Sequence, residues 1–142
     1  MTEQVREIYL VLWTLCQEVE RPLRHRYRAL RECFERMVRE QMQNVALQAT
    51  DLPARINYLA TQFALEDSVK NALHTFRLTS NDVMNHRKEP TSEEFLRDVA
   101  AVSEALRSIF HTPIPKELKE ILPKRTSKSS MKSGFFECFL LK

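Results

Sequence analysis

Glycine is nearly absent from this chain: one residue in 142, Gly134, in the C-terminal stretch. Any earlier position that takes a positive φ therefore does so against the steric preference of its side chain. Two-residue β-hairpins and glycine-rich phosphate loops, which both draw on that freedom, are excluded from the body of the chain. Cysteine is sparse too. Cys16, Cys33 and Cys138 are odd in number, far apart and without C-x-x-C spacing, which speaks against a disulfide framework or a zinc site. Cys16 and Cys33 read as small hydrophobes on apolar helix faces, and a reducing, cytoplasmic compartment is expected.

Long apolar runs are missing as well. No window approaches eighteen uncharged apolar residues, so no membrane partner is expected, and Glu3, Arg6 and Glu7 do not fit the start of a secretory signal. His25, His74, His86 and His111 lack H-x-x-x-H or H-E-x-x-H spacing, and no metal or other cofactor is expected. No G-x-S-x-G or Cys/His constellation points to hydrolysis. Residues 1–123 carry 17 Lys plus Arg against 18 Asp plus Glu, whereas residues 124–142 carry five against one. The basic balance belongs to that tail, and it gives no reason to read the body as a nucleic-acid binder.

What is present is helical periodicity. Val5, Ile8, Tyr9, Leu12, Leu15, Cys16 and Val19 recur at helical spacing, predicting a first helix of about 17 residues. Pro22 opens a second and longest helix, over roughly residues 22–48, with Leu23, Tyr27, Leu30, Phe34, Met37, Val38, Met42 and Val45 as its apolar stripe. Its other face carries Arg21, Arg24, Arg26, Arg28, Arg31, Arg36 and Arg39. That face reads first as a solvated one laced with pairs such as Glu32 to Arg36 and Glu35 to Arg39. Arg21, Arg24, Arg28 and Arg31, which lack acidic partners in this reading, are the candidates for binding nucleic-acid phosphates.

Asp51 and Pro53 mark the start of a short third helix through Ile56, Leu59, Ala60 and Phe63. A fourth follows from about Glu66, with Val69, Ala72, Leu73 and Phe76 inward. Thr91 and Glu94 form a capping signature for a fifth helix through Phe95, Val99, Val102, Leu106, Ile109 and Phe110. Thr112-Pro113-Ile114-Pro115 ends it, and residues 116–122 have room for one or two further turns. The fold class is thus all-α: an antiparallel bundle of about five helices over residues 1–123. Residues 124–142 form a flexible basic tail ending in the apolar stretch Phe135-Phe136-Glu137-Cys138-Phe139-Leu140-Leu141, which reads either as a docking segment or as a stretch with no structural meaning.

Between the fourth and fifth helices lies the most polar stretch, Phe76-Arg77-Leu78-Thr79-Ser80-Asn81-Asp82-Val83-Met84-Asn85-His86-Arg87-Lys88-Glu89-Pro90. Asn81 and Asp82 suit the capping of free backbone groups at a helix end, and His86 suits closing a turn.

The pattern Leu73-x-x-x-Arg77-x-x-x-Asn81-x-x-x-x-His86, followed by Glu89-Pro90-Thr91 and an amphipathic helix, resembles the HEPN-like helical domains. It is most similar to the small domain of unknown function that bacteria fuse to helicases, restriction-enzyme motor subunits and other defence or repair proteins. The resemblance covers roughly residues 20–112. It implies a homodimer, or a protein partner such as a parent helicase. In catalytic HEPN ribonucleases an Arg precedes a His by about four to six intervening residues, and the pair acts on the RNA 2′-hydroxyl and the scissile phosphate.

Here the position six before His86 is Ser80, and Arg77 lies nine before it, half a turn out of phase on a continuous helix. Three readings follow. The favoured one is a non-catalytic interaction or regulatory module. An endoribonuclease would use His86 with Arg77 or Arg87, helped by Asn81. A nucleic-acid-binding module would use the second helix's arginines and the basic tail.

Overall fold

The computed structural model describes residues 3–41 and 51–123, and every regular element among them is an α-helix. The helices are α1 (Glu3–Gln17), α2 (Leu23–Gln41), α3 (Leu52–Gln62), α4 (Asp67–Met84), α5 (Ser92–Phe110) and α6 (Lys116–Ile121). Met42 and Val45, the expected end of the second helix, and the whole tail with Cys138 lie outside the described residues.

The start signals work as their chemistry requires. The Asp51 carboxylate accepts the Ala54 N–H at 3.2 Å, and Pro53 occupies the first turn of α3. At α5 the capping box is complete: Glu94 N–H donates to the Thr91 hydroxyl at 3.1 Å, and Thr91 N–H donates to the Glu94 carboxylate at 3.0 Å.

Helix α4 is central, packing on α2, α3 and α5, while α1 lies against α2, α5 and α6. The expected apolar stripes converge on one core, in which Leu12, Tyr27, Leu30, Phe34, Ile56, Leu73, Phe76 and Phe95 are fully enclosed. Two edge-to-face aromatic pairs tie it together. Phe34 meets Phe76 with ring centroids 5.7 Å apart, joining α2 to α4; Tyr27 meets Phe95 at 5.2 Å, joining α2 to α5. Burying one large side chain of this kind contributes about 1.5–3 kcal/mol, so the α2–α4–α5 seam dominates the cohesion of the body. Leu118 of the short α6 is also fully buried, which pins that helix to α1.

Four expectations are corrected. The spacing puts Val19 on the first helix's inner stripe, but α1 ends at Gln17 and Val19 is 76% exposed in the turn before Pro22. Its charge predicts Arg26 on the outer face of the second helix, yet it is buried. It stands three residues after Leu23 and four before Leu30, within their stripe rather than opposite it.

Three of the four arginines expected to lack acidic partners have one: Arg31 pairs with Glu35 at 3.0 Å, Arg21 with Glu18 at 3.0 Å and Arg24 with Glu89 at 3.6 Å. The fourth correction concerns the polar stretch, whose first nine residues are helix rather than turn. Phe76, Ser80 and Val83 keep the inward phase of α4 for two more turns, and the Ser80 hydroxyl satisfies itself on the Arg77 carbonyl at 3.0 Å. Packing against α2 and α5 overrides the turn preference of Asn81 and Asp82.

Candidate functional site

The turn between α4 and α5 is held by backbone bonds at the end of α4. His86 N–H donates to the Val83 carbonyl at 3.2 Å, and Arg87 N–H donates to the Asp82 carbonyl at 2.8 Å. This is the paired bonding of a Schellman cap, with His86 in the left-handed position, φ 60°, where glycine is usual. Arg87 leans back on Asp82, 3.5 Å away, and Lys88 bridges to Glu94 at 2.9 Å, linking the turn to the capping box of α5. The hydrogen bond from Lys88, with that from the Thr91 backbone, holds the Glu94 carboxyl below the usual range.

Of the four candidates for cleavage chemistry, Arg77 and His86 are kept apart. Arg77 stands two helical turns, about 10 Å, before the end of α4, and its Nε points to His74 Nδ1 at 3.4 Å. His86 is exposed beyond the helix end with Arg87 beside it. Asn81 faces α2 instead: its side-chain oxygen accepts from Arg31 at 2.8 Å.

The same contact bears on the phosphate candidates. Arg31 also donates to the Ser80 hydroxyl at 2.6 Å and pairs with Glu35, leaving its side chain only 12% exposed. Arg24 reaches the Val83 carbonyl at 3.4 Å and Glu89 at 3.6 Å. Arg21 pairs with Glu18 at 3.0 Å. Arg28 alone of the four is exposed with no partner among the described residues.

A buried polar network sits where sequence reading expected only packing. Tyr27 donates to Asp98 at 2.6 Å, and Arg97 closes a double contact on the same carboxylate at 3.0 and 3.2 Å while reaching Thr79 at 3.2 Å. Burial raises the Asp98 carboxyl against the opposing hydrogen bonds from Arg97 and Tyr27. It also pushes the Tyr27 hydroxyl far up, with the Asp98 charge acting in the same direction. Asp98 lies three residues after Phe95 and four before Val102, so its inward phase was readable. Nearby, Arg26 donates to the Leu15 and Cys16 carbonyls at 2.9 and 3.4 Å and lies over the Phe95 ring at 4.7 Å. It thereby caps the end of α1, which has no basic residue of its own in its last turn.

A groove opens beside α1, with a volume of about 710 Å³. Tyr9, Leu10 and Trp13 form one wall; Pro113, Ile114 and Leu118 form the other. Its walls are fixed from beneath, since Tyr9 donates to the Thr112 carbonyl at 2.9 Å and Leu118 is fully enclosed. Burial pushes the Tyr9 hydroxyl up to about 12, so it remains a donor at physiological pH. Leu10 is 61% exposed and its neighbour Val11 is 43% exposed.

Among the described residues, no three His, Cys, Asp or Glu side chains gather where a metal ion could be held, and no helix is long and apolar enough to cross a membrane. Burial pushes the Cys16 thiol up to about 11 and raises that of Cys33, so neither offers a thiolate nucleophile near neutral pH. Comparison with protein-family models, with curated proteins and with solved structures finds no match. The described residues thus present an apolar groove beside α1 and polar groups turned mostly toward one another.

Proposed function

We propose that this chain is a non-catalytic interaction module that receives an apolar segment of a protein partner in the α1 groove, as an accessory domain of a helicase-type, defence or repair protein. The observation that carries the reading is the exposure of Leu10, at 61%, on the wall of a groove whose floor is already anchored. An apolar surface left open beside a fixed wall favours association over solvation. The class of partner follows from the resemblance of residues 20–112 to the helicase-fused HEPN-like domains. The separation of Arg77 from His86, and the engagement of Asn81 with Arg31, weigh against the ribonuclease alternative.

Site-specific photo-crosslinking tests the proposal. A photoreactive residue at Leu10 is expected to capture a defined protein in cells that make the chain natively, whereas one at Arg28 does not. Adducts that are absent at Leu10, or identical at both positions, would overturn it.

A further inference from the structure

The groove has a candidate occupant within the chain itself. We infer that residues 135–141 fill the α1 groove in the free protein and that a partner gains entry by displacing them, an inference that rests on the groove being the docking face. Residues 135–141 lie outside the described residues, and three observations nominate them.

The first is chemical. Phe135, Phe136, Phe139, Leu140 and Leu141 are five large apolar side chains with a single acid, Glu137, among them. The groove answers with apolar walls, including Leu10, Trp13 and Ile114, and with two cations, Arg6 and Lys116, against one acid, Glu117, among its lining residues. Elsewhere the tail is Lys- and Ser-rich, so residues 135–141 are its only stretch suited to such walls.

The second is reach. The groove's far wall includes Lys116, Glu117 and Leu118 from the start of α6, and the described chain ends at Pro123, two residues after that helix. A helix of this length covers about 9 Å. The eleven residues 124–134 span at most about 36–40 Å when extended, several times the distance back along α6. The tether therefore reaches the groove without strain.

The third is concentration. A segment tethered this closely meets its site at an effective concentration on the order of millimolar, so modest apolar burial suffices to keep the groove filled. A partner must then exceed the tethered segment's affinity.

Trp13, the only tryptophan, lines the groove and reports its occupancy. The experiment compares acrylamide quenching of the full chain with that of the full chain carrying Phe136→Ser, Phe139→Ser and Leu140→Ser. The substitutions fall outside the described residues, and helix content by circular dichroism checks that the helical body is unchanged. If apolar burial holds the segment in place, quenching of Trp13 should rise about two-fold in the variant. The protection in the unsubstituted chain should not change on dilution.

Equal quenching in the two proteins overturns the inference. So does protection that is lost on dilution, which would assign the groove to a second copy of the chain. Crosslinking from Leu10 in the variant separates this inference from the reading beneath it. Stronger capture of the partner supports displacement; unchanged capture with equal quenching leaves the docking face standing and removes the tail from it.

Discussion

Tyr27 on α2 and Asp98 on α5 meet through a 2.6 Å hydrogen bond in the interior, with Asp98 wholly shielded from solvent. A carboxylate there survives only because each oxygen is engaged, by Tyr27 on one side and by Arg97 on both. Replacing Tyr27 with Phe keeps the ring on Phe95 and removes one donor from a buried charge. The expected loss is about 1–3 kcal/mol, measured by urea unfolding followed by circular dichroism. An unchanged midpoint would mean that Asp98 finds another donor.

The scarcity of glycine leaves a mark that can be measured. Ala64, at φ 51°, follows the last turn of α3, where its N–H bonds to the Thr61 carbonyl and the next N–H, of Leu65, bonds to the Ala60 carbonyl. His86 plays the same part after α4. Both are Schellman positions in which a side chain crowds the backbone. Ala64→Gly and His86→Gly are each expected to stabilise the protein by roughly 1 kcal/mol, because relief of the left-handed strain outweighs the entropy glycine adds to the unfolded chain. Thermal melts of the two variants check this.

The bundle was legible because its apolar residues recur at helical spacing and its caps carry strong local signals. Thr91 with Glu94, and Asp51 with Pro53, start helices where those residues stand. What escaped was everything decided by tertiary neighbours. Ser80 and Thr79 look like turn residues until α2 and α5 supply Arg31 and Arg97 as partners. Arg26 reads as a surface cation by its charge alone, although its phase is inward and its head is absorbed by the α1 carbonyls and the Phe95 ring. The groove was invisible for a different reason. It joins α1 to a segment more than a hundred residues later, a closure that the Tyr9 to Thr112 bond makes plain and periodicity cannot reveal.

A third test uses pH. His74 on α4 stands 2.9 Å from the Asn57 side-chain oxygen on α3, and its Nδ1 takes the Arg77 Nε at 3.4 Å, an arrangement suited to the neutral ring. Burial, then the charges of Arg77 and Lys70, lower its pKa from the usual 6.5. The folded protein thus binds this proton less readily than the unfolded chain does. The stability tied to neutral His74 is present above pH 6.5 and is lost as pH falls through the lowered folded value. The urea midpoint of the wild-type chain should therefore fall more between pH 7.5 and 5 than that of His74→Gln. Parallel curves for the two proteins would show that the contact carries no linkage.

Arg31 distinguishes a structural arginine from a phosphate-binding one. It joins α2 to α4 through Ser80 and Asn81 and is held by Glu35. Arg31→Ala is expected to lower stability by about 1–3 kcal/mol, as for other charge-assisted bonds lost from a packed seam, with Arg28→Ala near neutral. If nucleic acid were bound through this face, Arg28→Ala would weaken the affinity and flatten its salt dependence by about one phosphate contact. Titration of single-stranded RNA at low salt, beside the unfolding curves, tells the two cases apart.

Cleavage of RNA is the sharper question, and the geometry of the α4–α5 turn sets its expected answer. A general acid or base needs its cation within the reach of one phosphate, and Arg77 lies nine residues, about two and a half turns, behind His86 while facing His74. Arg87 is adjacent to His86 but pairs with Asp82 at 3.5 Å, which offsets the charge a phosphorane would need. Wild-type protein and His86→Ala should therefore leave single-stranded RNA equally intact, over times in which a trace of contaminating nuclease is excluded by a heat-treated control. Cleavage by the wild type that is abolished in His86→Ala would overturn the non-catalytic reading. It would require Asp82 to release Arg87 when RNA binds, a rearrangement that Asp82→Asn should then favour by raising the rate.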